Sequence, residues 1–233
     1  MTPLCIAHRG ASGNFPENTM IAFHQAIALG ANAIELDVHV CKSGEVVVIH
    51  DDTLERTTNL TGRVDAHSFV ELSAASVPSL AEVLDTFATS TTIFIELKCE
   101  TAAAPVASLV THYAARGVPY AHMPVIGSHP DWLLTAKAMD ANIIIGTTPP
   151  HDQPIEEGFC ERAKQDGFAS VNPCFNQLTS QLVQEAHVHG LAIYTWTLNE
   201  PSDIEQAKRL GVDGIITDYP ERVHGEADTP IVA

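Results

Sequence analysis

Gly30-Ala31-Asn32-Ala33-Ile34-Glu35-Leu36-Asp37-Val38 is the stretch that decides the fold. Its glycine closes a helix-like segment, and an apolar run of strand length follows at once. The preceding segment, 16–29, reads as an amphipathic helix. Pro16 suits a first helical turn, Glu17 favours the positive helix end, and Met20, Phe23 and Ile27 recur at helical spacing. The same helix–glycine–strand unit then repeats along the chain. Ser79-x-x-Glu82 is a capping box that opens a helix over 80–88. Further helices are predicted over 105–116, 131–141, 155–166, 179–189 and 201–210, with Gly117, Gly167, Gly190 and Gly211 closing four of them.

The strand-like runs fall at 4–8, 33–38, 92–98, 124–128, 142–146, 168–172, 191–196 and 213–217. Alternation of strands and helices in this number predicts an α/β fold, a single (β/α)8 TIM barrel spanning 1–223, with a loosely ordered tail over 224–233. An open doubly wound sheet lacks its signature, since no Gly-x-Gly-x-x-Gly follows the first strand. A ninth run, 46–50, comes too soon after the second for a parallel crossover, so the two are predicted to form an antiparallel hairpin. A turn at Lys42-Ser43-Gly44-Glu45 lays position 50 opposite position 37 and returns His50 to Asp37. Residues 51–79 are polar, rich in threonine and without a sustained period. They are expected to form a short insertion above the carboxyl-terminal face of the barrel, shaping substrate access.

Glu35 and Asp37 are two apart in a strand and therefore share a face, while Ile34, Leu36 and Val38 take the other. At ~4 Å and an effective dielectric of ~20, such a like-charge pair repels by roughly 4 kcal/mol. A bound divalent metal is the natural offset. Glu96, placed similarly on the next strand, completes a possible oxygen-ligand set for a hard cation, Mg²⁺ or Ca²⁺. His8 and His50 stand at strand ends beside the acids and could be further metal ligands. Arg9 offers a planar fork for phosphate oxygens and Lys98 a point charge; the competing reading for both is a structural ion pair with Glu35 or Glu96. His8-Arg9, Glu35/Asp37, Glu96/Lys98, Ser128-His129, Asn172, Trp196 and Asp218 all fall at or near carboxyl-terminal strand ends, the face that carries barrel active sites.

Composition bounds the partners. The 233 residues carry 12 Lys plus Arg against 29 Asp plus Glu, a formal charge of −17, which disfavours nucleic acid and anionic membranes. A small anionic substrate requires a local reversal of that field. The apolar fraction of 45% suits a globular core, and no apolar run approaches the ~20 residues needed to cross a bilayer. His8-Arg9 follow the start so closely that no signal peptide is predicted. Cys5, Cys41, Cys99, Cys160 and Cys174 are odd in number and scattered, which points to reduced thiols and a cytoplasmic location.

Taken in order, the motifs resemble the glycerophosphodiester phosphodiesterase family, among the phospholipase C-like phosphodiesterase barrels. They are His8-Arg9-Gly10, Pro16-Glu17-Asn18-Thr19, Gly30-Ala31 with Ile34-Glu35-Leu36-Asp37-Val38, and His50-Asp51-Asp52 with Leu54-Glu55-Arg56-Thr57-Thr58. Pro78-Ser79-Leu80 with Glu82, Ile95-Glu96-Leu97-Lys98, Trp196-Thr197-Leu198-Asn199 and Gly211 through Pro220 continue the series. The resemblance implies metal-dependent hydrolysis of small-molecule glycerophosphodiesters to glycerol 3-phosphate and an alcohol. It makes Glu35, Asp37 and Glu96 the ligands of one divalent cation, His8 and His50 the acid–base pair, and Arg9 and Lys98 the phosphate contacts. Glu17 becomes a supporting acid that orients His8 or Arg9, and Trp196 an apolar wall for the substrate. Three departures stand out: the turn Cys41-Lys42-Ser43-Gly44, a short excursion before Pro78, and Ser128-His129-Pro130 where an aromatic commonly follows the serine. A lysophospholipase D-type phosphodiesterase, a non-catalytic barrel and a metal-dependent isomerase or lyase are the alternatives.

Overall fold

The computed structural model describes residues 2–224, so nearly all of the tail expected over 224–233 lies outside the described residues. Strands β1 (Leu4–His8), β2 (Ala33–Val40), β3 (Val46–Val48), β4 (Thr92–Leu97), β5 (Val125–Gly127), β6 (Ile145–Thr147), β7 (Ser170–Val171), β8 (Ala192–Thr195) and β9 (Gly214–Thr217) form one sheet. β1 pairs in parallel with both β2 and β9, which closes an eight-stranded barrel; β3 lies outside the ring, antiparallel on β2. Around the ring run helices α1 (Met20–Ala28), α3 (Leu80–Phe87), α4 (Ala103–Ala115), α5 (Pro130–Met139), α6 (Phe159–Gln165), α7 (Ser180–Val188) and α8 (Pro201–Leu210), while α2 (Phe69–Ala74) lies in the insertion. The predicted barrel is present, with every predicted strand found and most of them shortened at their ends.

Strand alternation sorts the side chains. Ile34, Leu36, Val38, Ile93, Ile95 and Ile193 are buried in the layer between barrel and helices. The inward strand faces fill the barrel with Ile6, Ala33, Phe94, Ile126 and Ile216. Phe94 and Tyr194 meet edge to face there, ring centroids 5.1 Å apart at 78°. Full burial of side chains this size stabilises by about 1.5–3 kcal/mol each. Helix α3 shows how the outer layer is held. Ser79 and Glu82 cap it reciprocally (2.7 and 3.2 Å), and Leu80, Val83, Leu84 and Phe87 give it one buried face.

Three expectations change. The helix read from Pro16 begins only at Met20, with Thr19 as its N-cap, because Asn18 turns left-handed at φ 56°. Asparagine tolerates that conformation, and here it aims the Asn18 amide at Asp37. The hairpin closes over three residues, Lys42–Gly44, with Cys41 N–H donating to Glu45 O (3.0 Å) and Gly44 in the left-handed region at φ 98°. One residue fewer in the turn shifts the register by one, so Ile49, not His50, bonds back to Asp37 (3.0 Å). Finally, the insertion is more structured than its polarity suggests. It holds α2, capped by Ser68 and Glu71, over a small core of its own: Cys41, Val47, Ile49, Leu54, Val64, Leu72 and Val77. That helix was legible, since Ser68-x-x-Glu71 is a capping box in the sequence.

Candidate active site

Strand register assembles the acids. His8 on β1 lies level with Glu35 on β2, and Asp37 on β2 lies level with Glu96 on β4. Side chains level across parallel strands point the same way, here into the barrel mouth. One carboxylate oxygen from each of Glu35, Asp37 and Glu96 lies within 4.8 Å of the others. Glu35 and Asp37 are 2% and 1% exposed, and Glu35 Oε1 and Asp37 Oδ1 have no hydrogen-bond partner among the described residues. Buried carboxylate oxygens without partners are costly, and a hard cation satisfies such a set. The donor set therefore fits a divalent ion.

The backbone approach to these acids is unusual. Arg9 adopts a left-handed φ of 56°, which lets its N–H donate to Glu35 Oε2 at 3.0 Å. Gly10 follows at φ 82°, with Ala22 so close that an added Cβ would meet it at 2.7 Å. Asn18 Nδ2 donates to Asp37 Oδ2 (2.9 Å). Arg9 Nε stands 3.1 Å from the same oxygen, while Lys98 Nζ is shared between Asp37 (3.5 Å) and Glu96 (3.4 Å). Ion pairing to acids of the cluster, the competing reading of the two basic residues, is thus realised in geometry. Both nevertheless line the mouth cavity.

Proton affinities follow from this placement. Burial works against ionisation of Asp37, but Arg9, Lys98 and His50 outweigh it and hold its carboxyl below the usual range. Burial and the Asp37 charge together push Glu35 and Glu96 upward. The two cations serve Asp37 best, so the cluster keeps uncompensated negative charge whenever all three acids ionise.

Each histidine is held by its own carboxylate. His8 Nδ1 lies 2.6 Å from Asp218 Oδ1, and Asp218 also accepts from Ser12 Oγ (2.9 Å) and Asn199 Nδ2 (2.6 Å). His50 Nδ1 lies 2.6 Å from Asp51 Oδ1, and His39 Nε2 secures the His50 carbonyl at 3.0 Å. A carboxylate on Nδ1 fixes the proton there and leaves Nε2 for the cavity. Burial opposes the charging of His8, yet the Asp218 hydrogen bond and the Glu35 charge raise its pKa overall. The hydrogen bond and charge of His8, with the hydrogen bonds from Asn199 and Ser12, hold Asp218 down to about 2 against the effect of burial.

Glu17 turns out to contact Arg9 rather than His8. It accepts from Arg9 Nη1 (2.9 Å) and grips Arg56 through two bonds of 2.8 Å; Arg56 in turn reaches Asp51 through Nε at 2.6 Å. A continuous chain of polar contacts, Arg9–Glu17–Arg56–Asp51–His50, thereby joins the first barrel loop to the insertion.

These groups surround a cavity of about 280 Å³. His8, Arg9, Glu35, His50, Glu96 and Lys98 line one side, and Ser128, Thr148, His151, Asn172 and Trp196 the other. Trp196 meets the barrel's internal apolar cluster and donates Nε1–H to the Asn172 carbonyl (2.8 Å). His129 instead stacks on Trp132 at 3.9 Å, away from the lining, so the departure after Ser128 leaves the cavity wall to Ser128 and Thr148. All nine residues assigned from the sequence come together, eight in the cavity wall or acid cluster and Glu17 behind Arg9. Asp51, Asp218, Arg56 and Asn18 received no role from sequence reasoning. All four lie inside the quoted motifs, which was the available signal.

The sequence model of the glycerophosphoryl diester phosphodiesterase family matches residues 8–222. The chain belongs to that family. A glycerophosphodiester phosphodiesterase of Caldanaerobacter subterraneus subsp. tengcongensis is 32% identical over 236 residues, covering 95% of this chain and 96% of the relative. A human lysophospholipase D is 27% identical, covering 94% and 84%. Among solved structures, a phosphodiesterase of Oleispira antarctica in complex with the product sn-glycerol-3-phosphate superposes with a TM-score of 0.83 at 26% identity, covering 96% of each chain. Family membership accounts for the resemblance seen in the motifs, and the barrel is the fold the family's solved members share.

Proposed function

We propose that the chain hydrolyses glycerophosphodiesters to glycerol 3-phosphate and an alcohol, using one divalent cation and a pair of histidines. The observation that carries this reading is the convergence on one cavity of two carboxylate-held imidazoles and three clustered acids, two of which, Glu35 and Asp37, keep a buried oxygen unpartnered among the described residues. Glu35, Asp37 and Glu96 would hold Mg²⁺ or Ca²⁺, which would supply Lewis-acid stabilisation of phosphate charge. Arg9 and Lys98 add positive charge at the phosphoryl group. Of His8 and His50, one takes the proton from the attacking oxygen through Nε2. The other delivers a proton to the departing alcohol oxygen, breaking the P–O bond without expelling a bare alkoxide. Asp218 and Asp51 keep each ring oriented and stabilise it when charged. Trp196 gives the substrate an apolar wall.

The human relative's name favours a second reading, lysophospholipase D-type cleavage. A groove of about 570 Å³ runs beside His50, partly lined by Met20, Ile21, Val77 and Pro78, and has room for an apolar chain. The net charge of −17 argues against an anionic membrane surface as the source of substrate. No described helix is long and apolar enough to cross a membrane. Five free thiols suit a reducing cytoplasm, which we include in this reading. The deciding experiment is release of glycerol 3-phosphate from glycerophosphocholine and lysophosphatidylcholine, with and without chelator. Release from the first, lost on chelation and restored by Mg²⁺ or Ca²⁺, is the expected result. Faster turnover of the lysophospholipid would install the second reading.

A further inference from the structure

The cavity has an electrical asymmetry. Its carboxylates, arginine and lysine come from β1, β2 and β4 or directly after them, whereas the wall from β5 to β8 offers Ser128, Thr148, His151, Asn172 and Trp196 among apolar side chains, with no Asp, Glu, Lys or Arg among the described lining residues. Asn172, directly after β7, stands out on that wall. It is 1% exposed, and neither its amide nitrogen nor its amide oxygen has a hydrogen-bond partner among the described residues. Burying an amide with both ends unsatisfied is unfavourable for the fold. The backbone nevertheless holds it firmly: Asn172 N–H donates to Thr147 O (2.8 Å), and Trp196 Nε1–H donates to Asn172 O (2.8 Å). Gly146 leaves room beside the amide, since a Cβ there would come within 3.2 Å of Asn172 Nδ2. A rigidly placed polar group that nothing in the fold uses is the mark of a group kept for a ligand.

We propose that Asn172 reads the glycerol half of the substrate, its amide pairing with a free glycerol hydroxyl while the charged wall takes the phosphoryl group. A hydroxyl both donates and accepts, and a carboxamide is the neutral side chain that answers both roles. A substrate lacking the hydroxyl leaves the amide buried and unpaired, which is how such sites discriminate. The inference rests on the glycerophosphodiesterase reading and sharpens it: selectivity for the polyol resides just after β7, apart from the acids and from His8 and His50.

The test compares binding of glycerol 3-phosphate and n-propyl phosphate to the Mg²⁺-loaded enzyme by calorimetry, for wild type, Asn172→Leu and Asn172→Ala. Wild type is expected to prefer glycerol 3-phosphate by about tenfold or more. Both variants should lose about tenfold in glycerol 3-phosphate affinity and stay within about threefold for propyl phosphate. Asn172→Leu should also melt at or above the wild-type temperature, because it removes an unsatisfied buried amide; a structural role would lower the melting point. Equal weakening of both ligands, or a wild type that binds them alike, overturns the proposal. If wild type releases no glycerol 3-phosphate from any glycerophosphodiester, the underlying reading has failed instead.

Discussion

His8 Nδ1 lies 2.6 Å from Asp218 Oδ1, a pairing made across 210 residues of chain by the closure of β1 against β9. A barrel is the kind of fold that brings its first and last strands together, so the two ends of the sequence complete one dyad.

Asp218→Asn should therefore behave as a catalytic defect. Asparagine can present its N–H₂ to the ring, freeing the wrong tautomer and removing the charge that steadies His8 when protonated. Turnover should fall by about 10²-fold or more. Asp218 raises the His8 pKa, so its removal lowers that pKa and moves the corresponding limb of the pH–rate profile to more acidic values. The double variant with His8→Ala should be little worse than His8→Ala alone, since the two act as a unit. Additive losses in the double variant would show that they work separately.

The Arg9–Glu17–Arg56–Asp51 chain makes a different claim. Arg56 is 47% exposed, so its ion pairs are screened by solvent and contribute little stability, about 0–1 kcal/mol. Its importance lies in orientation, through Asp51, of His50. Arg56→Ala should cut kcat by roughly tenfold while moving the melting temperature by no more than about 4 °C. Arg56→Lys keeps the charge but cannot grip two carboxylates at once, so it should recover only part of the rate. A variant that unfolds early, with normal kcat, would reverse this assignment.

The parts legible in the sequence were those governed by period and local chemistry. Ile34, Leu36 and Val38 opposite Glu35 and Asp37 follow from strand alternation alone. What remained hidden were contacts fixed by register and by left-handed turns. Reading the turn as 42–45 pairs His50 with Asp37, while the observed turn pairs Ile49 there, and only the position of Gly44 decides between them. Asn18 looked like part of a helix because its neighbours have helical spacing; tertiary demand from Asp37 outweighs that local preference. The partnership of Asp218 with His8 depends on barrel closure, which no short-range pattern encodes.

Metal removal should expose the cost of the acid cluster. Burial and Asp37 raise the carboxyl pKa of Glu35, so the folded metal-free protein retains a proton that the unfolded chain has already released. By linkage, its contribution to stability is favourable below the ordinary Glu range and is lost as pH rises through the raised value. Metal-free protein should thus lose melting temperature as pH is raised from about 5 to 8, and added Mg²⁺ or Ca²⁺ should restore more of it at pH 8 than at pH 5. Glu35→Gln should flatten the pH dependence of the metal-free melt and abolish activity. A metal-free melt independent of pH in both proteins would remove this account.

The insertion provides the last test, because its core is separate from that of the barrel. Leu72 is fully buried in the small cluster with Leu54, Val64 and Val77, and α2 has only six residues. Leu72→Ala removes buried side-chain volume from a cluster with few other contacts, a change that typically costs about 2–5 kcal/mol in a well-packed core. The cost should appear first as local opening: faster amide exchange over 54–77, with strands β1, β2 and β9 still protected. Arg56 and Asp51 belong to the same segment, so its loosening should lower kcat as Arg56→Ala does, while leaving Mg²⁺ affinity at Glu35, Asp37 and Glu96 nearly unchanged. Uniform exchange through barrel and insertion together would mean that the insertion is not an independent unit, and that His50 is held by the barrel alone.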